Sequence, residues 1–253
     1  MNDLKNLVKN KKVAIVGPSP HLVNTGLGQY IDSHDLVIRI NEILPSGYFQ
    51  DYGSKTDIVF LNLGNDWLEI TIEMINKDIE ALDNIKLFVN PRNSLDVSTK
   101  NRFKKDPNQN VFNNYKKLKV KNNFFHIGND KNKEFEDKVG TFPTTGLLTI
   151  MSILECDFAS LFVCGFSFYS TKYRYNPNKS QLYKKHGYAT TGIAGHNMLN
   201  EINYLKSHFP RRENIKVDYL FHLLIYMKIH FRYIKYLNSI IHFLRKYFRF
   251  LGK

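Results

Sequence analysis

Apolar positions along the chain gather in short runs that are nearly continuous rather than alternating. "KVAIV" (12–16), "DLVIRIN" (35–41), "DIVFLNL" (57–63), "IKLFVN" (85–90), "FFHIG" (124–128), "SLFVCGF" (160–166) and "IKVDYL" (215–220) are rich in β-branched and aromatic residues. Strands covered on both faces read in this way. Segments 22–31, 66–81, 144–157 and 196–208 read as helices between them. The alternation predicts an α/β fold: a single Rossmann-like, doubly wound, mostly parallel sheet. Ligands of such sheets sit beyond the carboxyl ends of the strands, so the residues that close each run are the candidates for chemistry.

Asn41 closes "DLVIRIN" and offers both a donor and an acceptor at that edge. Arg39 shares its face if the strand is regular, and is expected to pair with an acid such as Asp35. In "VAIVGPSP" a strand ends at Gly17 and a small-residue loop carrying Ser19 leads to a helix. That form suits a phosphate or sugar, although neither GxGxxG nor a Walker lysine is present. "FPTTG" (142–146) opens a helix with Thr144, Thr145 and Gly146, whose free N–H groups attract an anion unless Thr144 is an ordinary cap. "CGFSFYSTKYRYNP" (164–177) ends a strand at Gly165 and follows it with Tyr169 and Tyr175, two hydroxyls placed to meet a leaving phosphate or two packing aromatics. In "AGHNMLNE" (194–201), His196 stands at a helix start, where the dipole favours the neutral ring that a general base requires. Glu201, five residues on, falls on another face of that helix and is read as holding the loop rather than orienting His196.

Composition narrows the setting. With 253 residues and 43% hydrophobic residues, one large domain with a sizeable core is expected. Cys156 and Cys164 belong to no CxxC pair and read as buried small apolar residues, which fits a cytoplasmic compartment. No apolar run is long enough to predict a membrane span. The net charge of +13 points to an anionic partner, and removing residues 221–253 lowers it to +6. Within that tail Lys228, Arg232, Lys235, Ser239, His242, Lys246 and Arg249 recur at steps of four and three, amid nine aromatics and no acid. The expected division is therefore a domain at 1–220 and a basic amphipathic helical tail at 221–253. Its segment 222–253 would lie on an anionic membrane surface or pack on the domain or a second subunit.

The ordered motifs resemble the sialyltransferases. "VAIVGPSP…GLGQYIDSHDLVIRINE…GYFQDYGSKTD" (13–57) looks like the large sialyl motif of the animal-type family, "FPTTGLLTIMSILECDFASLFVCGF" (142–166) like the small motif, and "HNMLNE" (196–201) like the very small motif. A second resemblance is to bacterial lipooligosaccharide sialyltransferases, through Gly165, Phe168, Tyr169, Tyr175 and the pair Gly195–His196. The resemblance implies a GT-A-like variant of the Rossmann fold, CMP-sialic acid as donor, inversion at the anomeric carbon and no metal or other cofactor. It makes His196 the base and Tyr169 and Tyr175 the partners of the departing phosphate. Donor binding falls to Gly17, Ser19, Asn41, Thr144, Thr145, Gly146 and Gly165. The acceptor would be a glycan or glycolipid at the cytoplasmic, inner face of a membrane, with homo-oligomerisation left open and nucleic acid not expected as a partner. Pro18 stands where the family has Asn, "KYRY" (172–175) replaces the aromatic motif before the base, and Val13 stands where the animal enzymes carry the cysteine that would pair with Cys156. Two alternatives stay open: another CMP-activated acidic sugar such as CMP-Kdo, and a non-catalytic, basic nucleic-acid-binding protein of the same fold.

Overall fold

The structure is a computed structural model that describes residues 1–91, 107–168 and 196–227, with the backbone alone at 65–67, 70 and 107–110. Tyr169 and Tyr175 and the tail beyond Met227 lie outside the described residues.

All seven expected strands form: β1 (Lys12–Val16), β2 (Leu36–Ile40), β3 (Ile58–Phe60), β4 (Leu87–Asn90), β5 (Phe124–His126), β6 (Ser160–Cys164) and β7 (Ile215–Val217). They make one sheet in the order β5-β4-β3-β2-β1-β6-β7, and every pairing is parallel. The chain builds outward from β1 to β5 and then returns to place β6 on β1's other side. The order therefore reverses between β1 and β6, which marks the crevice where such sheets take their ligands.

The continuous apolar runs follow from cover on both faces. Val13, Ile15, Leu36, Ile38, Ile40, Ile58, Phe60, Leu161 and Val163 point into the largest core cluster. Ala14, Val16, Val37, Phe162 and Cys164 point to the opposite face, as do Val59 and Phe88 further along the sheet. Helix α7 (Thr145–Leu154) lies within the larger cluster, with Leu147 to Ile153 all buried. Its interior hydroxyls are satisfied inside the helix: Thr149 donates to the Thr145 carbonyl and Ser152 to that of Leu148.

Among the described residues the remaining α-helices are α1 (Asn2–Val8), α2 (Gly28–Asp32), α3 (Phe49–Tyr52), α4 (Asn65–Lys77), α5 (Pro107–Lys117), α6 (Asn129–Val139), α8 (Met198–His208) and α9 (Tyr219–Phe221). The helix expected over 22–31 is instead a short turn of helix at Pro20–Leu22, a loop, and α2. Asn24 and Gly26 interrupt it with φ of 66° and 70°.

Leu220, Phe221, Leu224 and Ile225 belong to the largest core cluster. Phe221 packs against Phe166, Phe168 and Phe209, and Tyr226 donates to the Pro210 carbonyl. The apolar residues that open the tail thus pack on the end of α8 and on the residues after β6. Both cysteines are free and buried, as expected.

Candidate active site

The crevice between β1 and β6 is closed at its floor by two glycines. A Cβ built on Gly17 would overlap the Gly165 carbonyl, and one on Gly165 would overlap that of Gly17. Gly165 also has φ 80°, a conformation that glycine adopts without steric cost. Two hydrogen bonds lock the approach: Gly17 N–H to the Cys164 carbonyl at 2.8 Å and Ser19 N–H to the Gly165 carbonyl at 3.0 Å. The first turn of α7 adjoins this floor, since a Cβ on Gly146 would meet the Phe166 ring at 3.0 Å.

Asn41 follows β2 with φ 50°, a left-handed position that asparagine tolerates better than most residues. Its Oδ1 accepts the Asn62 N–H at 2.9 Å. Of the donor and acceptor expected there, the acceptor is thus engaged in the scaffold and the Nδ2 hydrogens are the half suited to a ligand. Arg39 does not pair with Asp35. It is fully buried and donates to the Tyr52, Gly53 and Lys55 carbonyls and to Thr56 Oγ1. Asp35 instead accepts the Lys12 N–H at 2.8 Å, and this bond holds its carboxyl below the usual range.

The second half of the site is assembled from α7 and α8. His196 precedes Asn197, which caps α8 by accepting from the Leu199 and Asn200 amides. The ring is buried, and Nδ1 lies 2.6 Å from the Phe142 carbonyl. A carbonyl only accepts, so Nδ1 carries the hydrogen and Nε2 is the basic nitrogen of the neutral ring. Thr144 caps α7 by accepting the Leu147 N–H at 3.2 Å. Glu201 reaches it from α8: one carboxylate oxygen accepts Thr144 N–H at 2.6 Å and the other its hydroxyl at 2.9 Å. Glu201 therefore holds the loop, as its sequence spacing suggested. The Thr144 hydroxyl thus serves both the cap and Glu201.

Gly17, Ser19, Gly165 and Gly146 meet at the crevice, and His196 joins the α7 start through Phe142. Sequence reasoning missed His21 and Asp218. His21 Nε2 lies 2.9 Å from Asp218 Oδ2, and Asp218 accepts the Gly165 N–H at 2.7 Å. An aspartate closing the "IKVD" run at the ligand edge was the available signal. Also unforeseen were Asn62 and Asn90, whose side chains accept the Gly64 and Leu63 amides at the ends of β3 and β4. Among the described residues no cluster of three or more His, Cys, Asp or Glu could hold a metal ion.

Fold and site together define an α/β protein with a crevice at the reversal of its sheet and, beside it, a buried histidine whose Nδ1 meets a carbonyl. The model of glycosyltransferase family 29 (sialyltransferase) matches residues 4–208, and the chain belongs to that family. It is 41% identical over 64 residues to sialyltransferase-like protein 2 of Oryza sativa subsp. indica, covering 24% of this chain and 16% of that protein. It is 44% identical over 52 residues to the Sus scrofa CMP-N-acetylneuraminate-beta-galactosamide-alpha-2,3-sialyltransferase 1, covering 21% and 15%. It is 33% identical over 105 residues to the human beta-galactoside alpha-2,6-sialyltransferase 1, covering 42% and 25%. These matches span a quarter or less of each relative's length. A crystal structure of a mammalian sialyltransferase aligns at 21% identity and a TM-score of 0.49, over 85% of this chain and 71% of that one.

Proposed function

We propose that the protein transfers sialic acid from CMP-sialic acid to a hydroxyl of a glycan acceptor with inversion. The observation that carries this reading is His196. In a chain of this family, its Nδ1 is tied to the Phe142 carbonyl, which presents Nε2 as a base beside the α7 start. Nε2 takes the acceptor hydroxyl proton while that oxygen bonds to the anomeric carbon from the face opposite CMP. The bond from that carbon to the phosphate oxygen breaks, and the electron pair leaves with CMP. The α7 amides of Thr145 and Gly146 and the Asn41 Nδ2 would hold the donor, with Gly17 and Gly165 letting it approach the backbone. Tyr169 and Tyr175 would donate to the departing phosphate in place of a metal. The basic, aromatic sequence of 228–253 supports a glycolipid acceptor reached from an anionic, cytoplasmic membrane face.

The test is CMP release from CMP-sialic acid with a panel of glycan acceptors, run in parallel with CMP-Kdo. His196→Ala is expected to lower transfer by about 10²–10⁴-fold while CMP binding stays within a few-fold. Wild-type turnover in the folded variant removes His196 as the base. Release from CMP-Kdo alone reassigns the donor.

A further inference from the structure

Ser19, His21 and Asp218 form a hydrogen-bonded chain that the transfer chemistry above does not use. Asp218 Oδ2 accepts from Gly165 N–H at 2.7 Å and faces His21 Nε2 at 2.9 Å, and Oδ1 accepts from Phe221 N–H at 2.9 Å. On the other side of the ring, His21 Nδ1 lies 2.9 Å from Ser19 Oγ. The His21 and Asp218 side chains are 2% and 1% exposed, and Ser19 is buried. Its backbone is fixed, because its N–H donates to Gly165 and its carbonyl accepts the Tyr52 hydroxyl.

Burial pushes the Asp218 carboxyl up, but His21 and the hydrogen bonds from His21, Phe221 and Gly165 outweigh it and hold the group below its ordinary value. An ionised carboxylate only accepts, so Nε2 carries a hydrogen in either state of the ring. Nδ1 is then the nitrogen whose hydrogen distinguishes the two states of the ring. In the neutral ring Nδ1 accepts the Ser19 hydroxyl hydrogen. In the imidazolium Nδ1–H donates to Ser19 Oγ, and the hydroxyl hydrogen turns to a different acceptor. The described groups around the pair are Tyr219, edge-on to the ring at 5.6 Å, Tyr52 on the Ser19 carbonyl, and Cys164, whose thiol is pushed well up by burial and by Asp218.

A phosphate or carboxylate of the ligand can only accept. On the reading of the crevice as the donor site, we propose that His21 is a positioning residue. It turns the Ser19 hydroxyl into a donor for the ligand's anionic group, so that binding a phosphodiester takes up a proton on His21. The proton offsets the negative charge that the ligand brings into a buried crevice.

The experiment is calorimetry of the full chain with the methyl ester of CMP, whose phosphate does not titrate between about pH 6 and 8.5, in two buffers of different ionisation enthalpy. Wild type is expected to take up a fraction of a proton that rises with pH toward one. Its Kd should weaken by up to about tenfold per pH unit. His21→Gln keeps a donor for Asp218 without titrating, and Ser19→Ala leaves the His21–Asp218 pair intact. Both should bind more weakly, with no proton uptake and a flat Kd. Zero uptake by a wild-type protein that transfers sialic acid overturns the relay alone, as does uptake that survives in H21Q or in S19A. A wild type that neither binds the ester nor releases CMP from CMP-sialic acid overturns the donor reading and the relay with it.

Discussion

Removing the Glu201 carboxylate tests how the two halves of the site are joined. Its two oxygens take the Thr144 N–H at 2.6 Å and the Thr144 hydroxyl at 2.9 Å, and the residue is fully buried. Glu201→Ala removes both acceptors and strands a buried amide hydrogen. Hydrogen bonds to an ionised group contribute about 1.5–3 kcal/mol each, so the variant should lose about 3–6 kcal/mol of unfolding free energy. That is a large share of the about 5–15 kcal/mol that stabilises a typical domain. Glu201→Gln keeps an acceptor for the amide but points an NH₂ at Thr144 Oγ1, which already accepts from Leu147. One charge-assisted bond becomes a neutral one and the other loses its acceptor and is reversed, for a loss of about 1–3 kcal/mol. Urea unfolding followed by circular dichroism, with the midpoint read at constant slope, measures both. A loss under about 1 kcal/mol in E201A refutes the clamp. An E201Q protein of wild-type stability that has lost transfer assigns Glu201 to the chemistry rather than to positioning.

Transfer is expected to persist in excess EDTA, measured as CMP release. Loss of activity that only Mg²⁺ or Mn²⁺ restores refutes tyrosine-assisted departure. A chain ending at Met227 should fold as the full chain does and lose sedimentation with anionic vesicles. One ending at Phe221 also deletes Leu224 and Ile225 from the core, at about 2–5 kcal/mol for each. Vesicle binding by residues 1–227 would place the membrane contact elsewhere. Because Asp218 titrates below its ordinary 3.8 in the folded protein, its contribution is complete above that value and is lost as pH falls through the folded pKa. The stability gap between wild type and Asp218→Asn should therefore narrow in acid, and a gap independent of pH contradicts the assignment.

The strands were legible because burial on both faces leaves a run such as "SLFVC" with little ambiguity. Helix α6 was not, because "NDKNKEFEDKV" buries Asn132, Phe135 and Val139 alone, too few apolar positions to announce a period. Arg39 misled for a related reason. An arginine in a strand suggests an acid, whereas its partners are mostly backbone carbonyls, which no side-chain pattern reveals. The place of His196 at the start of α8 and the hold of Glu201 on the loop were legible from spacing. His21 and Asp218 were not, since 197 residues separate them and only the return of the chain to β6 and β7 brings them together.

The same contrast explains why the large motif is so specific yet contributes few candidate ligand contacts. Asp32 accepts from the amides of Ser54 and Lys55, Asp51 from those of Asn24 and Gly26, and Asp57 from that of Val37. Arg39 serves the carbonyls of Tyr52, Gly53 and Lys55, and Thr56 that of Ile43. Each side chain ties a segment flanking β2 to another segment or to β2 itself, and these backbone groups would otherwise be buried without partners. Asp32 and Arg39 of "IDSHDLVIRINE", with Asp51, Thr56 and Asp57 beyond it, are thus cross-braces of the segments around β2, from whose end Asn41 projects. Their removal should appear first as lost stability and only through it as lost affinity, whereas Asn41 or Ser19 should weaken donor binding beyond any change in stability. That difference in the order of effects separates scaffold from site within a single stretch of sequence.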